Sequence, residues 1–226
     1  MMIKIRKPND FHHHLREKDL LSLTTKECFD KFYYVIVMPN LKTPIVTIKQ
    51  ALEYRKEILN LDNRGYPLMT LYLHKDISLT DLDNFKNYPE MIGIKYYPKS
   101  ATTNSDNGVS DMKSIFHILK KMEKNQIPLL VHGENVSCNI DIFHREKVFL
   151  KKELTTIITQ FPNLKVILEH ISTKEAVEFV LKHNIYATIT PHHMIFDRND
   201  IFKGGINPHL YCLPIPKKDI DKKALI

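Results

Sequence analysis

Pro128-Leu-Leu-Val-His-Gly-Glu134 is a short apolar run that closes on a histidine, and it reads as a buried strand carrying a reactive side chain at its C-terminal end. The segment before it has helical period, with Met112, Ile115, Phe116, Leu119 and Met122 on one face. The pairing recurs along the chain. Strand-like runs occupy residues 3–5, 11–15, 33–38, 68–73, 91–96, 128–131, 164–168 and 185–189. Helical spacing returns at Ile48, Ala51, Leu52 and Ile58 and at Ala176, Val177, Val180 and Leu181. Ser110 and Thr173 suit the N-caps of the helices at 112–122 and 176–181. Strands alternating with helices imply a parallel α/β fold, and the number of repeats favours a (β/α)8 TIM-type barrel over an open sheet. Counted from residues 11–15 there are seven strand-like segments and no eighth before Ile226, so the expectation is one incomplete barrel domain over residues 1–226.

Titratable residues collect at the ends of these runs. In Phe11-His-His-His-Leu-Arg16, His12 and His14 are two apart, so an extended backbone sends both imidazoles to one face and His13 to the other. Neutral imidazoles suit zinc and similar metals, although a three-histidine run is also compatible with chance. Lys95 ends Gly93-Ile94-Lys95, and His132 and His170 end two further runs. Singly, Lys95 reads as an ion-paired lysine and the two histidines as satisfied core residues. A lysine joins metal ligands only after modification, because an ammonium has no lone pair; a carbamate formed with carbon dioxide offers two oxygens and can bridge two cations. Together the residues form the pattern of a two-metal hydrolase.

Composition sets bounds. The formal net charge is +7, but the lysines are scattered, which fits solvated faces better than a nucleic-acid surface. No apolar stretch approaches the roughly 20 residues that span a bilayer, and no signal-type region follows Met1, so a cytoplasmic location is expected. Cys28, Cys138 and Cys212 form no C-x-x-C and are odd in number, which argues against a disulfide framework or a structural zinc knuckle. No Gly-rich nucleotide loop is present.

The chain resembles the amidohydrolase superfamily and, more closely, the bacterial monofunctional dihydroorotases of pyrimidine biosynthesis. The resemblance runs through Asp10-Phe-His-His-His-Leu-Arg16, Val37-Met-Pro-Asn40, Ile94-Lys-Tyr-Tyr-Pro98, Ala101-Thr-Thr-Asn-Ser105, Leu130-Val-His-Gly-Glu134, Glu169-His-Ile171, Thr188-Ile-Thr-Pro191 and Pro208-His-Leu-Tyr-Cys-Leu-Pro214. It implies that His12 and His14 hold one zinc ion, that His132 and His170 hold a second, and that Lys95, as N6-carboxylysine, bridges them together with a hydroxide. It also implies that Arg16 and Asn40 bind the substrate carboxylate and that Thr102 and Thr103 tip a mobile loop, with Gly108 permitting its motion. Leu213 is implied to contact the pyrimidine ring through its backbone. The implied reaction interconverts N-carbamoyl-L-aspartate and L-dihydroorotate, in a homodimer acting on a small molecule. The family's catalytic aspartate follows the eighth strand in a Gly-Thr-Asp-Ser-like motif. Asp219 and Asp221 lack that context, so no catalytic residue is assigned here, and the chain reads as C-terminally truncated relative to the family. Without the aspartate roughly 10²- to 10⁴-fold of general acid–base catalysis is expected to be lost. Two alternatives stay open: a hydantoinase- or allantoinase-like cyclic amidase, and an inactive scaffold that binds another pyrimidine-pathway enzyme.

Overall fold

The computed structural model describes residues 4–226. Ile3 of the first strand-like run lies outside them, and Lys4 and Ile5 are irregular. The described residues alternate strand and helix: β1 Asp10–His13, α1 Asp19–Lys31, β2 Tyr34–Val37, α2 Ile48–Leu61, β3 Tyr66–Tyr72, α3 Leu79–Asn84 and β4 Met91–Tyr96. There follow α4 Phe116–Asn125, β5 Leu129–His132, α5 Arg145–Phe149, α6 Thr155–Gln160, β6 Val166–Glu169, α7 Lys174–His183, β7 Tyr186–Ala187, α8 Pro191–Ile195 and α9 Asp219–Leu225. Two compact units divide the chain, Met1–Lys95 and Tyr96–Ile226.

In the first unit β1, β2, β3 and β4 pair in chain order, all parallel. In the second, β5 pairs with β6 and β6 with β7, again parallel. Within each unit a strand returns to its neighbour through helix, which is the (β/α) repeat of a barrel; the described residues hold seven strands against the eight of a closed (β/α)8 barrel, as expected. The strand interiors are the apolar runs of the sequence: Val35 and Val37, Met69 and Leu71, Leu129 and Val131, and Val166 and Leu168 are all buried.

Several boundaries differ from expectation for identifiable reasons. The 112–122 segment opens as a 3₁₀ turn, Met112–Ile115, capped by Asp111 rather than Ser110; the Asp111 carboxylate accepts the Lys113 N–H at 3.0 Å. Thr173 does cap α7, accepting the Ala176 N–H at 3.1 Å. The stretch 145–160 escapes periodicity because a π turn, Leu150–Leu154, inserts between α5 and α6 and resets the 3.6-residue repeat while keeping Phe149, Leu150, Leu154 and Ile157 buried. Helix α1 hides for another reason: its buried face includes Thr25 and Cys28, while Leu20 and Leu23 point to solvent. Strand β7 keeps two residues of the expected five. The Thr188 N–H still reaches Leu168 O at 3.0 Å, but Pro191 starts α8 soon after. Among the described residues no helix is long and apolar enough to cross a membrane, and the three cysteines are free.

Candidate active site

In the first unit the residues gather at the end of β1. Asp10 fixes this segment: its carboxylate accepts the His12 N–H at 2.9 Å, and its other oxygen lies 2.8 Å from His13 Nδ1. His13 is thereby held away from its neighbours, and His12 Nε2 and His14 Nε2 converge to 3.2 Å. Two nitrogens on one tetrahedral zinc, each about 2.0–2.1 Å from it, stand roughly 3.3 Å apart, so the spacing fits a shared cation as well as an N–H···N bond. Burial, followed by the charges of His12, Arg16 and Lys95, holds the His14 imidazole well below its ordinary range, which keeps it neutral and able to offer a lone pair. Asn40, buried after Pro39, hydrogen-bonds His14. Lys95 at the end of β4 is fully buried, and the Leu73 N–H donates to its carbonyl at 2.8 Å. Arg16 stands in the left-handed region at φ 65°, its carbonyl accepts the Tyr54 hydroxyl, and its buried Nη1 has no hydrogen-bond partner.

In the second unit His132 ends β5 and His170 follows β6, both buried, with ring centroids 4.8 Å apart in an edge-to-face arrangement. The His170 N–H donates to Thr188 Oγ1 at 2.9 Å, at a left-handed φ of 42°. Thr102 and Thr103 lie on a loop that closes on itself. The Ser105 hydroxyl donates to Thr102 O at 2.6 Å and accepts the Thr102 N–H at 2.8 Å, while Pro98 and Val109 pair at the loop base. Gly108 serves packing here: a Cβ would stand 2.6 Å from Tyr97 O, and its φ is not left-handed. Leu213 is half-buried between Cys212 and Pro214.

His192, His193 and Cys212 bring ligand-type atoms within 4.8 Å of one another. Their bonds are already internal: His193 Nε2 meets Pro214 O at 2.8 Å, His193 Nδ1 meets Thr190 Oγ1 at 2.6 Å, and the Cys212 thiol donates to Pro214 O at 3.3 Å. Burial pushes the thiol up to about 11 and His193 down to about 4, so the sulfur keeps its proton. The cluster ties α8 to the 212–214 segment.

Three buried charged residues in the second unit escaped sequence reasoning. Glu134 Oε2 lies 2.9 Å from His132 Nε2. Glu146 accepts the Ser172 N–H at 3.0 Å and the Thr173 hydroxyl, which pins the backbone just after His170. Lys217 is buried with them, donates to Ile215 O at 2.7 Å, and feels the charges of both carboxylates. Only the His-x-Glu spacing of His132 and Glu134 was visible in the sequence.

Burial pushes the Glu146 carboxyl up to about 7, against the opposing pull of Lys217 and the Thr173 and Ser172 bonds. The folded state therefore binds more protons than the unfolded state between the ordinary glutamate value of 4.5 and about 7. Stability falls as pH rises through that window, by a few kcal/mol at most. Glu146→Gln is expected to flatten the slope, measured as urea midpoints of both proteins from about pH 4.5 to about pH 8; parallel slopes would show that Glu146 does not titrate there.

Comparison with known proteins gives a consistent relationship along the chain. The dihydroorotase of Acaryochloris marina is 47% identical over 99% of this chain and 66% of its own length, and that of Acinetobacter baumannii is 44% identical over 99% and 67%. The crystal structure of dihydroorotase from Campylobacter jejuni superposes with a TM-score of 0.89 at 39% identity, covering 97% of this chain and 64% of that one. An L-hydantoinase from Arthrobacter aurescens shares the fold alone, at 16% identity and a TM-score of 0.78 over 97% of this chain and 54% of its own. The chain thus spans about two thirds of the length of the curated relatives it matches. A model of the CO dehydrogenase beta subunit/acetyl-CoA synthase epsilon subunit family matches residues 94–201, fewer than half of the chain and without His12, His14 or Arg16.

Proposed function

The chain belongs to the dihydroorotase family, and from that membership we propose that it interconverts N-carbamoyl-L-aspartate and L-dihydroorotate in pyrimidine biosynthesis, as a zinc-dependent cyclic amide hydrolase. The observation that carries the reading is the grouping at the end of β1: imidazole nitrogens 3.2 Å apart, beside a guanidinium whose buried Nη1 has no partner. The family implies a metal cofactor. In our reading His12 and His14 hold one zinc ion and His132 and His170 the other, with Lys95, carboxylated on Nζ, as the shared bridge together with a hydroxide. When bound, such a pair of cations acidifies a water and polarises the amide carbonyl, supplying nucleophile and electrophile at neutral pH.

The chain's own residues do the rest. Arg16 presents a planar fork that receives the substrate carboxylate in two charge-assisted bonds, and Asn40 supplies a further amide contact. Thr102 and Thr103 donate hydroxyl bonds from the loop and exclude water when it closes. Backbone groups at Leu213 meet the ring. Neutral His14 is ready to ligate without first losing a proton. No side chain of this chain is assigned as the general acid–base. The family resemblance further supports a cytoplasmic homodimer acting on small molecules, without nucleic acid or membrane.

The test is zinc content with hydrolysis of dihydroorotate and hydantoin on one preparation. About two zinc ions per chain and a preference for dihydroorotate are expected. A preference for hydantoin would transfer the assignment to the hydantoinase-like alternative, and a metal-free protein holding a stable partner would transfer it to the scaffold alternative.

A further inference from the structure

Glu134 is fully buried and lies two residues beyond His132. A buried carboxylate needs a reason, because it gives up its hydration. One oxygen has a partner, His132 Nε2 at 2.9 Å, while Oε1 has none, and the charge of buried Lys217 faces the group. The backbone between the two side chains has little freedom. The Glu134 N–H turns back onto His132 O at 3.2 Å, and a Cβ on Gly133 would stand 2.7 Å from Leu168 Cδ1, so this turn is pressed against β6.

An imidazole that donates Nε2–H to a carboxylate carries its lone pair on Nδ1, and the ring is held by the same bond. We infer that Glu134 is the positioning residue of the second histidine pair: it selects the Nε2–H tautomer of His132, so that Nδ1 is the nitrogen offered to a metal, while Lys217 balances its buried charge. The inference rests on the metal reading of His132 and His170 given above. It adds a residue, a nitrogen and a tautomer to that reading.

Zinc affinity is the readout, measured on the whole chain by competition with a chromophoric chelator. Loss of such a supporting carboxylate typically weakens metal binding about 10- to 100-fold, and that loss is expected for Glu134→Ala. Glu134→Gln keeps an oxygen that accepts from Nε2–H and is expected to stay within a few-fold of wild type. Nitrogen-15 NMR of the imidazoles in the metal-free wild type, which needs no variant to fold, is expected to show the proton of His132 on Nε2. Unchanged affinity in Glu134→Ala, equal weakening in the Gln and Ala variants, or a proton on Nδ1 would each overturn the inference. Absence of zinc binding by the wild type would instead overturn the metal reading, and the tautomer measurement would still judge Glu134.

Discussion

Lys95→Met is expected to leave the fold standing while stripping the metals, with dihydroorotate turnover falling roughly 10³-fold or more. The stability half of this expectation follows from burial. Lys95 is fully buried at the end of β4, where an ammonium forfeits its hydration, and replacing a buried charge by an apolar side chain of similar length is often neutral or stabilising. Methionine is unbranched and of similar length. The chemical half follows from charge. The charges of His12, Arg16 and Lys95 all act to keep His14 neutral, so an ammonium at Lys95 adds positive charge where cations are to be held. A carbamate on the same nitrogen reverses that sign and presents two oxygens, which turns a repelling position into an attracting one. Methionine offers neither oxygen. Metal analysis and urea unfolding of the variant check both halves, and native mass spectrometry of the wild type should show the mass of one added carbon dioxide. A variant that retained about two metals and its turnover would remove Lys95 from the bridge.

What was legible in the sequence shares one physical feature. Lys95 and His132 close apolar runs, which announce where β4 and β5 stop, while His12 and His14 lie at the end of the short β1. The period-2 geometry of an extended backbone was enough to place His12 and His14 together and send His13 to Asp10. Glu134, Glu146 and Lys217 were not legible because their meaning lies in mutual burial, and charged residues in mixed segments ordinarily read as solvated surface. Lys217 in particular stands in a Lys-Lys doublet, of which one member is buried and the other exposed. The π turn at Leu150–Leu154 defeated periodicity for a similar reason: the buried face continues, but its spacing changes. At Gly108 the sequence offered only a small residue in a loop, while the backbone approach too close for any Cβ is set by Tyr97, Ser105 and Lys99 and is visible only in the structure.

Arg16→Lys is expected to raise KM for dihydroorotate about 10- to 100-fold while leaving zinc content unchanged, because a lysine keeps the charge and loses the fork. A hydrogen bond to a charged group contributes about 1.5–3 kcal/mol, and each 1.4 kcal/mol is tenfold, which sets the range. The backbone that carries this side chain is braced. Its left-handed backbone, φ 65°, is uncommon for a side chain with a Cβ, and the conformation is held from below by the hydroxyl of buried Tyr54 on the Arg16 carbonyl. The guanidinium is thus presented by a braced turn, with Nη1 buried and without a protein partner. A shorter fan of donors on a lysine, carried by a single nitrogen, cannot make two coplanar bonds from the same turn. The decisive comparison is a substrate with the ring but without the carboxylate, such as dihydrouracil. If Arg16 binds the carboxylate, wild type and Arg16→Lys should differ strongly on dihydroorotate and hardly at all on dihydrouracil, so the gap between the two substrates closes in the variant. Equal weakening on both would mean that Arg16 acts on the imidazole pair rather than on the substrate, since its charge also bears on His14.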